Sequence, residues 1–235
     1  MDKAVVFDIS GKYGMFKKPY TPLSPVSYPV PPPTAIMGVI GAIIGLDKEV
    51  YLEELNRGEM KFGIKLLAPV KKYRAGLNML LTKSSNYFRP KKKSPRTQVP
   101  AEFIKDAKFR IYFHHSDKEL LSLIAEKLQK NQTTYTPVLG IAQCIAETEF
   151  IGIHEIQYVS KQGEFDLACC IPKERANVHF TPGNRIYEFR VPSRMLQDRT
   201  VTRYDDIYVD EMAGKIKVNA KKGYEIIDDE KILLF

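Results

Sequence analysis

Between Lys108 and Phe113 polar and apolar side chains alternate, which puts Phe109, Ile111 and Phe113 on one face and predicts a half-buried strand. The period then changes. From Asp117 to Lys130, Leu120, Leu121, Ile124 and Leu128 recur at helical spacing, with Ser116 or Asp117 as cap, and predict the clearest amphipathic helix of the chain. Upstream, Lys3 to Ile9 reads as a first strand and Tyr51 to Asn56 as a short helix. Met60 to Lys71 is an extended stretch that continues to Thr82. Downstream, Thr136 to Gly140 is a turn and Glu149 to Val159 another strand. After Gly163 the strands are short: Arg185 to Val191, Ile207 to Val209 and Lys215 to Val218, with turns at Pro182-Gly183 and Ala213-Gly214. The order predicts an α+β fold, a ferredoxin-like (RRM-like) β-α-β-β-α-β domain over residues 1–160 with a long insertion at about 82–103. A β-rich C-terminal subdomain follows over residues 161–235.

The second element needs separate treatment, because prolines at 31–33 feed an uncharged run from Ala35 to Leu46. The run is far shorter than the roughly 20 residues a bilayer requires, so no membrane partner is expected. Gly38, Gly41 and Gly45 lack the following Lys-Ser or Lys-Thr of a phosphate loop. Pro33 suits a first helical turn, and spacings of three and four place the glycines on one helix face. Each glycine weakens a helix interior by about 1 kcal/mol relative to alanine. Three of them imply close approach of that face to a sheet or another backbone.

The stretch Ser84 to Phe103, punctuated by Pro90, Pro95 and Pro100, is expected to be neither a central strand nor a helix interior. It gathers Arg89, Lys91, Lys92, Lys93 and Arg96 beside Tyr87 and Phe88. Cations for phosphates next to aromatics for bases are what single-stranded nucleic acid binding requires. A second such group follows the first strand: Lys12, Tyr13, Lys17, Lys18 and Tyr20, with Gly11 and Gly14 letting the backbone approach a ligand. A third is Lys71, Lys72, Tyr73 and Arg74. The formal charge of +8, from 36 basic and 28 acidic side chains in 235 residues, favours a polyanionic partner as well. No RNP1 octapeptide is present, so base recognition across an open sheet face is not indicated.

Cys144, Cys169 and Cys170 suit neither a disulfide framework nor a zinc site, and point to a reducing, cytoplasmic compartment. The start, MDKAVVFDIS, does not read as a signal peptide. No cofactor or metal is expected. His114-His115 alone suggests an enzyme, a metal-independent ribonuclease with a histidine, a tyrosine and a lysine as base, acid and phosphorane-stabilising cation. Adjacent strand residues point to opposite faces, so at most one histidine would face a site, and a strand end is a common place for surface histidines.

The strand and Gly-rich turn of Phe7 to Phe16, the helix entrance Pro32 to Gly45, the long basic insertion and Tyr135-Thr-Pro-Val-Leu-Gly140 together resemble the Cas-five family. These are CRISPR-associated RAMP proteins of type I Cascade complexes, and the resemblance is to the I-B form. The resemblance spans most of the chain and is weakest beyond Gly163. It implies a non-catalytic subunit that holds the 5′ handle of the CRISPR RNA and caps the backbone filament. Residues 82–103 would form a thumb reaching the neighbouring backbone subunit and the RNA. The large subunit would be a further partner, and target DNA an indirect one. One branch of the family, in type I-C, is itself the pre-crRNA endonuclease, but no lysine directly precedes His114 or His115. A protein-only RRM-like scaffold is the third possibility.

Overall fold

A computed structural model describes residues 1–21, 23–80 and 96–235. It is a mixed α/β fold, mostly strand, with a curled half-barrel sheet. The first half contains β1 (Lys3–Gly14), β2 (Phe16–Lys17), β3 (Ser27–Tyr28), α1 (Pro33–Ile44), α2 (Tyr51–Asn56), β4 (Met60–Leu66), β5 (Lys71–Leu80), β6 (Arg96–His115) and α3 (Lys118–Gln129). The second is strand alone: β7 (Glu147–Glu155), β8 (Gln157–Val159), β9 (Gly163–Leu167), β10 (Ile171–Pro172), β11 (Ala176–His179), β12 (Ile186–Met195), β13 (Val201–Asp210), β14 (Ile216–Ala220), β15 (Tyr224–Ile227) and β16 (Glu230–Ile232).

The main sheet runs β4-β6-β1-β7, antiparallel throughout, and β5 pairs with the N-terminal half of β6. Ala4 to Ile9 are all buried, because both faces of β1 are covered. Val5, Phe7 and Ile9 pack with Ile36, Ile40 and Ile43 of α1 and Ile124 and Leu128 of α3. Ala4, Val6 and Tyr112 face the C-terminal strands, among Leu167, Ile171, Val218, Ile227 and Leu234. Full burial of each such large side chain contributes about 1.5–3 kcal/mol. The C-terminus also closes the β4 edge, where Phe62 and Phe235 exchange backbone hydrogen bonds at 2.9 and 3.0 Å.

Asp117 caps α3 by accepting from the N–H groups of Glu119 and Leu120, as the sequence predicts. Several boundaries differ from expectation. The first strand continues to Gly14 and carries Lys12 and Tyr13 with it, because ladder pairing to β6 persists to Gly14–Ile104. The stretch Met60 to Lys71 ends as a strand at Leu66, and Lys71 opens a separate one. Residues 96–103, expected to be neither a central strand nor a helix interior, form a strand at the edge of the sheet. Their ladder is with β5 alone, apart from Glu102 N–H donating to Pro25 O at 2.8 Å, and Pro100, opposite Gly76, needs no ladder donor on its open side. The strand expected from Glu149 to Val159 divides at Ile156: β7 pairs with β1, and β8 with β15.

The glycine face of α1 meets a side chain and not the sheet. A Cβ at Gly41 would lie 3.1 Å from Cβ of Tyr51 on α2. Gly45, at φ +85°, ends the helix in the left-handed region beside Thr134. Gly38 has only the Tyr51 hydroxyl, 3.9 Å away.

Candidate nucleic-acid interface

Where β1 ends, three stretches distant in sequence meet. Met15 N–H donates to Leu139 O at 2.9 Å, and the Gly140 α-carbon lies so near the Met15 carbonyl that a side chain there would collide with it. Gly11 serves the same docking, since a Cβ on it would meet the Ile145 carbonyl at 2.8 Å. The glycines expected to admit a ligand therefore admit the 139–145 segment. Beside them α1 starts at Pro33, and the Thr34 hydroxyl donates to Pro192 O of β12 at 3.3 Å.

Between these parts lies a groove of ≈ 400 Å³, walled by Phe16, Lys17, Tyr28, Thr34, Gly38 and Tyr204 among others, with no carboxylate in its wall among the described residues. Burial pushes the Tyr28 hydroxyl up to about 12, with Tyr20 and Tyr204 adding to the shift, so it stays protonated near neutrality. Cations lie against aromatic rings around the groove. The Lys18 ammonium is 5.4 Å from the Tyr28 ring centroid and 5.1 Å from that of Phe189. The Arg190 guanidinium is 5.3 Å from the Tyr204 ring centroid. Lys17 is exposed, and neither it nor Arg190 has a carboxylate at ion-pair distance among the described residues. Lys12 and Tyr20 are exposed too, Tyr20 at 70%.

The third group behaves differently, because each of its cations has an acidic neighbour. Lys72 is 2.8 Å from Glu211, Arg74 is 3.4 Å from the buried Glu102, and Lys71 is 3.7 Å from Asp106. Pairing leaves less charge there for phosphate than sequence implies. Tyr73 joins Tyr13 and Phe103 in an aromatic cluster, with Tyr13 centroids 5.7 and 6.1 Å away. This cluster links the first basic-aromatic group to the β5–β6 ribbon. Arg96 is exposed at the far end of that ribbon, opposite Leu80. Tyr87, Phe88, Arg89, Lys91, Lys92 and Lys93 lie outside the described residues.

The histidines are not on the surface. His114 and His115 are 5% and 3% exposed. His115 accepts from Asp117 N–H at Nδ1 and donates from Nε2 to Leu55 O at 3.2 Å, and burial lowers its pKa. His114 donates from Nδ1 to Lys3 O at 2.8 Å. Both border a cleft of ≈ 560 Å³ at the opposite end of β1 from the groove. No group of three or more potential metal ligands converges among the described residues, and no described helix is long and apolar enough to cross a membrane. The three cysteines are free and buried.

Sequence reasoning missed Tyr187, Phe189, Arg190 and Tyr204, all beyond Gly163. The signal was available: Tyr187-Glu-Phe-Arg190 and Arg203-Tyr204 repeat the cation-aromatic pattern of the N-terminal groups.

A family described as CRISPR-associated protein (Cas_Cas5) matches residues 4–209. No curated protein sequence matches the chain. Among solved structures, a CRISPR protein from Archaeoglobus fulgidus superposes with TM-score 0.58 at 12% identity, covering 99% of this chain and 98% of its own. A chain of the type III-B Cmr-beta complex bound to cognate target RNA and AMPPnP superposes with TM-score 0.53 at 9% identity, covering 91% and 86%. At these identities the likeness is one of fold.

Proposed function

The chain belongs to the CRISPR-associated Cas5 family, and from that premise we propose that it is a non-catalytic CRISPR RNA-binding subunit of a type I Cascade complex, of the I-B form. It holds the 5′ handle and caps the backbone filament, with the backbone and large subunits as protein partners and target DNA met indirectly. The observation that carries this reading is the meeting of Lys17, Tyr28 and Tyr204 in the wall of one groove that has no carboxylate among its described residues, with Lys18 against the Tyr28 ring and Arg190 against that of Tyr204. Cations set against aromatic rings offer phosphate contact and base stacking together. The main sheet is ferredoxin-like on this reading. Its order, β4-β6-β1-β7, is second, third, first, fourth of the β-α-β-β-α-β run, which supports the assignment. Because the C-terminal strands cover the face of Val6 and Tyr112, the RNA is assigned to the groove and the β5–β6 ribbon.

Filter binding with a single-stranded repeat-handle RNA tests this. Salt-dependent affinity, and co-assembly with the backbone subunit, are expected. Absence of RNA affinity at low salt, alone and in the complex, would leave the protein-only scaffold.

One observation favours a second reading, a metal-independent endoribonuclease. The Lys61 ammonium lies 3.5 Å from the Tyr158 hydroxyl, and Lys61 is the cross-strand partner of His114. Against it, Tyr158 donates to Asp2 at 3.1 Å and burial raises its pKa, which weakens it as a proton donor. Incubating the protein with repeat RNA in excess chelator distinguishes the two. A single cut abolished by His114→Ala would establish the second.

A further inference from the structure

Each glycine in the middle of a helix needs a reason, and the three of α1 do not share one. Gly41 is required by the Tyr51 side chain at 3.1 Å, and Gly45 by its φ of +85°. Gly38 has ordinary helical backbone, and a Cβ there would meet nothing nearer than the Tyr51 hydroxyl at 3.9 Å. Neither packing nor backbone explains it. It does line the groove, next to Ala35 and Thr34, and any longer side chain at 38 would extend into that space.

We infer that the groove is a pocket for one unstacked nucleobase of the bound RNA, kept open by Gly38, with Tyr204 as the stacking ring at its rim. The inference rests on the RNA-binding reading and adds to it a position and a contact chemistry. At ≈ 400 Å³ the groove lies at the small end of the range for ligand sites, of a size for a heterocycle and not for a helix or strand. Its wall is mainly apolar, with Phe16, Pro32, Ala35, Pro192 and Met195 among its residues. Polar groups are few. Tyr28 is 2% exposed, lines the groove, and has no hydrogen-bond partner for its hydroxyl among the described residues. A hydroxyl held so suits a base edge, since it donates and accepts. Lys17 in the wall and Arg190 over Tyr204 supply the positive charge that a backbone phosphate on either side of the inserted base would meet. An acidic peptide would use these cations too, but it would leave the flat apolar interior without a matching group.

The test is a set of single-stranded handle RNAs carrying 2-aminopurine at successive positions, read by fluorescence and affinity with the full chain. The wild type is expected to change the fluorescence of one position far more than its neighbours. Gly38→Leu should abolish that response and weaken binding roughly 10-fold, while leaving the salt dependence of affinity unchanged, because no phosphate contact is lost. Tyr204→Ala, at a half-exposed rim residue, should reduce the same response without filling the groove. A thermal melt no lower than wild type for Gly38→Leu excludes misfolding as the cause, and Tyr204→Ala gives the independent reading if it is lower. Unchanged RNA binding and fluorescence in both variants would overturn the pocket while leaving the RNA reading intact. So would loss of backbone-subunit capture with RNA binding retained, which would assign the groove to protein. No RNA affinity in the wild type would instead overturn the RNA reading itself.

Discussion

Arg175 donates to the Glu225 carboxylate at 2.9 Å, and the other carboxylate oxygen accepts the Leu234 N–H at 3.2 Å. Arg175 also donates to Leu234 O at 3.0 Å, so one ion pair fastens the C-terminal residues beneath the main sheet. Glu225 is 3% exposed, so its partners are supplied by the protein. Arg175 keeps 26% of its side chain exposed, so removing Glu225 costs about 1–3 kcal/mol, chiefly for the hydrogen bonds left unmade. Glu225→Ala is expected to destabilise by about that amount in urea unfolding. Hydrogen exchange at the Phe62 amide, which donates to Phe235 O, should accelerate. Protection of Phe62 unchanged in the variant would separate the tail from this pair.

The glycines of α1 should respond in opposite senses to alanine. Gly38→Ala is expected to stabilise by about 0.5–1 kcal/mol, since its Cβ would meet only the Tyr51 hydroxyl, at an ordinary contact distance of 3.9 Å. Gly45→Ala is expected to destabilise by about 1 kcal/mol or more, because a Cβ at φ +85° is strained and Thr134 stands within 2.8 Å of it. Paired thermal melts decide between this and a uniform effect of helix propensity.

His115 gives the stability a pH dependence of known sign. Burial lowers its folded pKa below the ordinary 6.5, so on acidification the unfolded chain takes up this proton first. The contribution of neutral His115 is complete above pH 6.5 and is lost as the pH falls through the folded value. His115→Gln should flatten the decline in unfolding free energy below pH 6.5 relative to wild type. Parallel curves for the two proteins would show that this ring does not titrate on unfolding.

RNA affinity should depend on which cations are already paired. Lys17→Ala and Arg190→Ala are each expected to weaken binding and to lower the slope of log affinity against log salt by about 0.7. Lys72→Ala should change both less, since Glu211 at 2.8 Å already neutralises that ammonium. Equal effects at 17, 72 and 190 would show that the Lys72–Glu211 pair opens on binding.

Local pattern was enough for much of the fold. Asp117 caps the helix that Leu121, Ile124 and Leu128 bury, and Tyr51–Asn56 is helical within its expected bounds, because capping and apolar period are properties of a few adjacent residues. For residues 96–103 the prolines excluded a central strand, but which edge they occupy was not legible. Pro100 argues against a strand only if both edges are paired, and the pairing of β5 to one side alone is a long-range fact. The histidines were misjudged, since Leu55 and Lys3, which bury and bond them, are distant in sequence.

The same division runs through the candidate site. Residue order alone reveals basic-aromatic groups at 12–20 and 71–74, and a glycine-faced helix after a proline entrance. It takes the folded chain to bring Glu211, Glu102 and Asp106 to the second group, and Arg190 and Tyr204 to the first beside a groove. Charge and ring type are written residue by residue, but whether a charge is free and whether a cavity stays open depend on what the rest of the chain brings within a few ångströms.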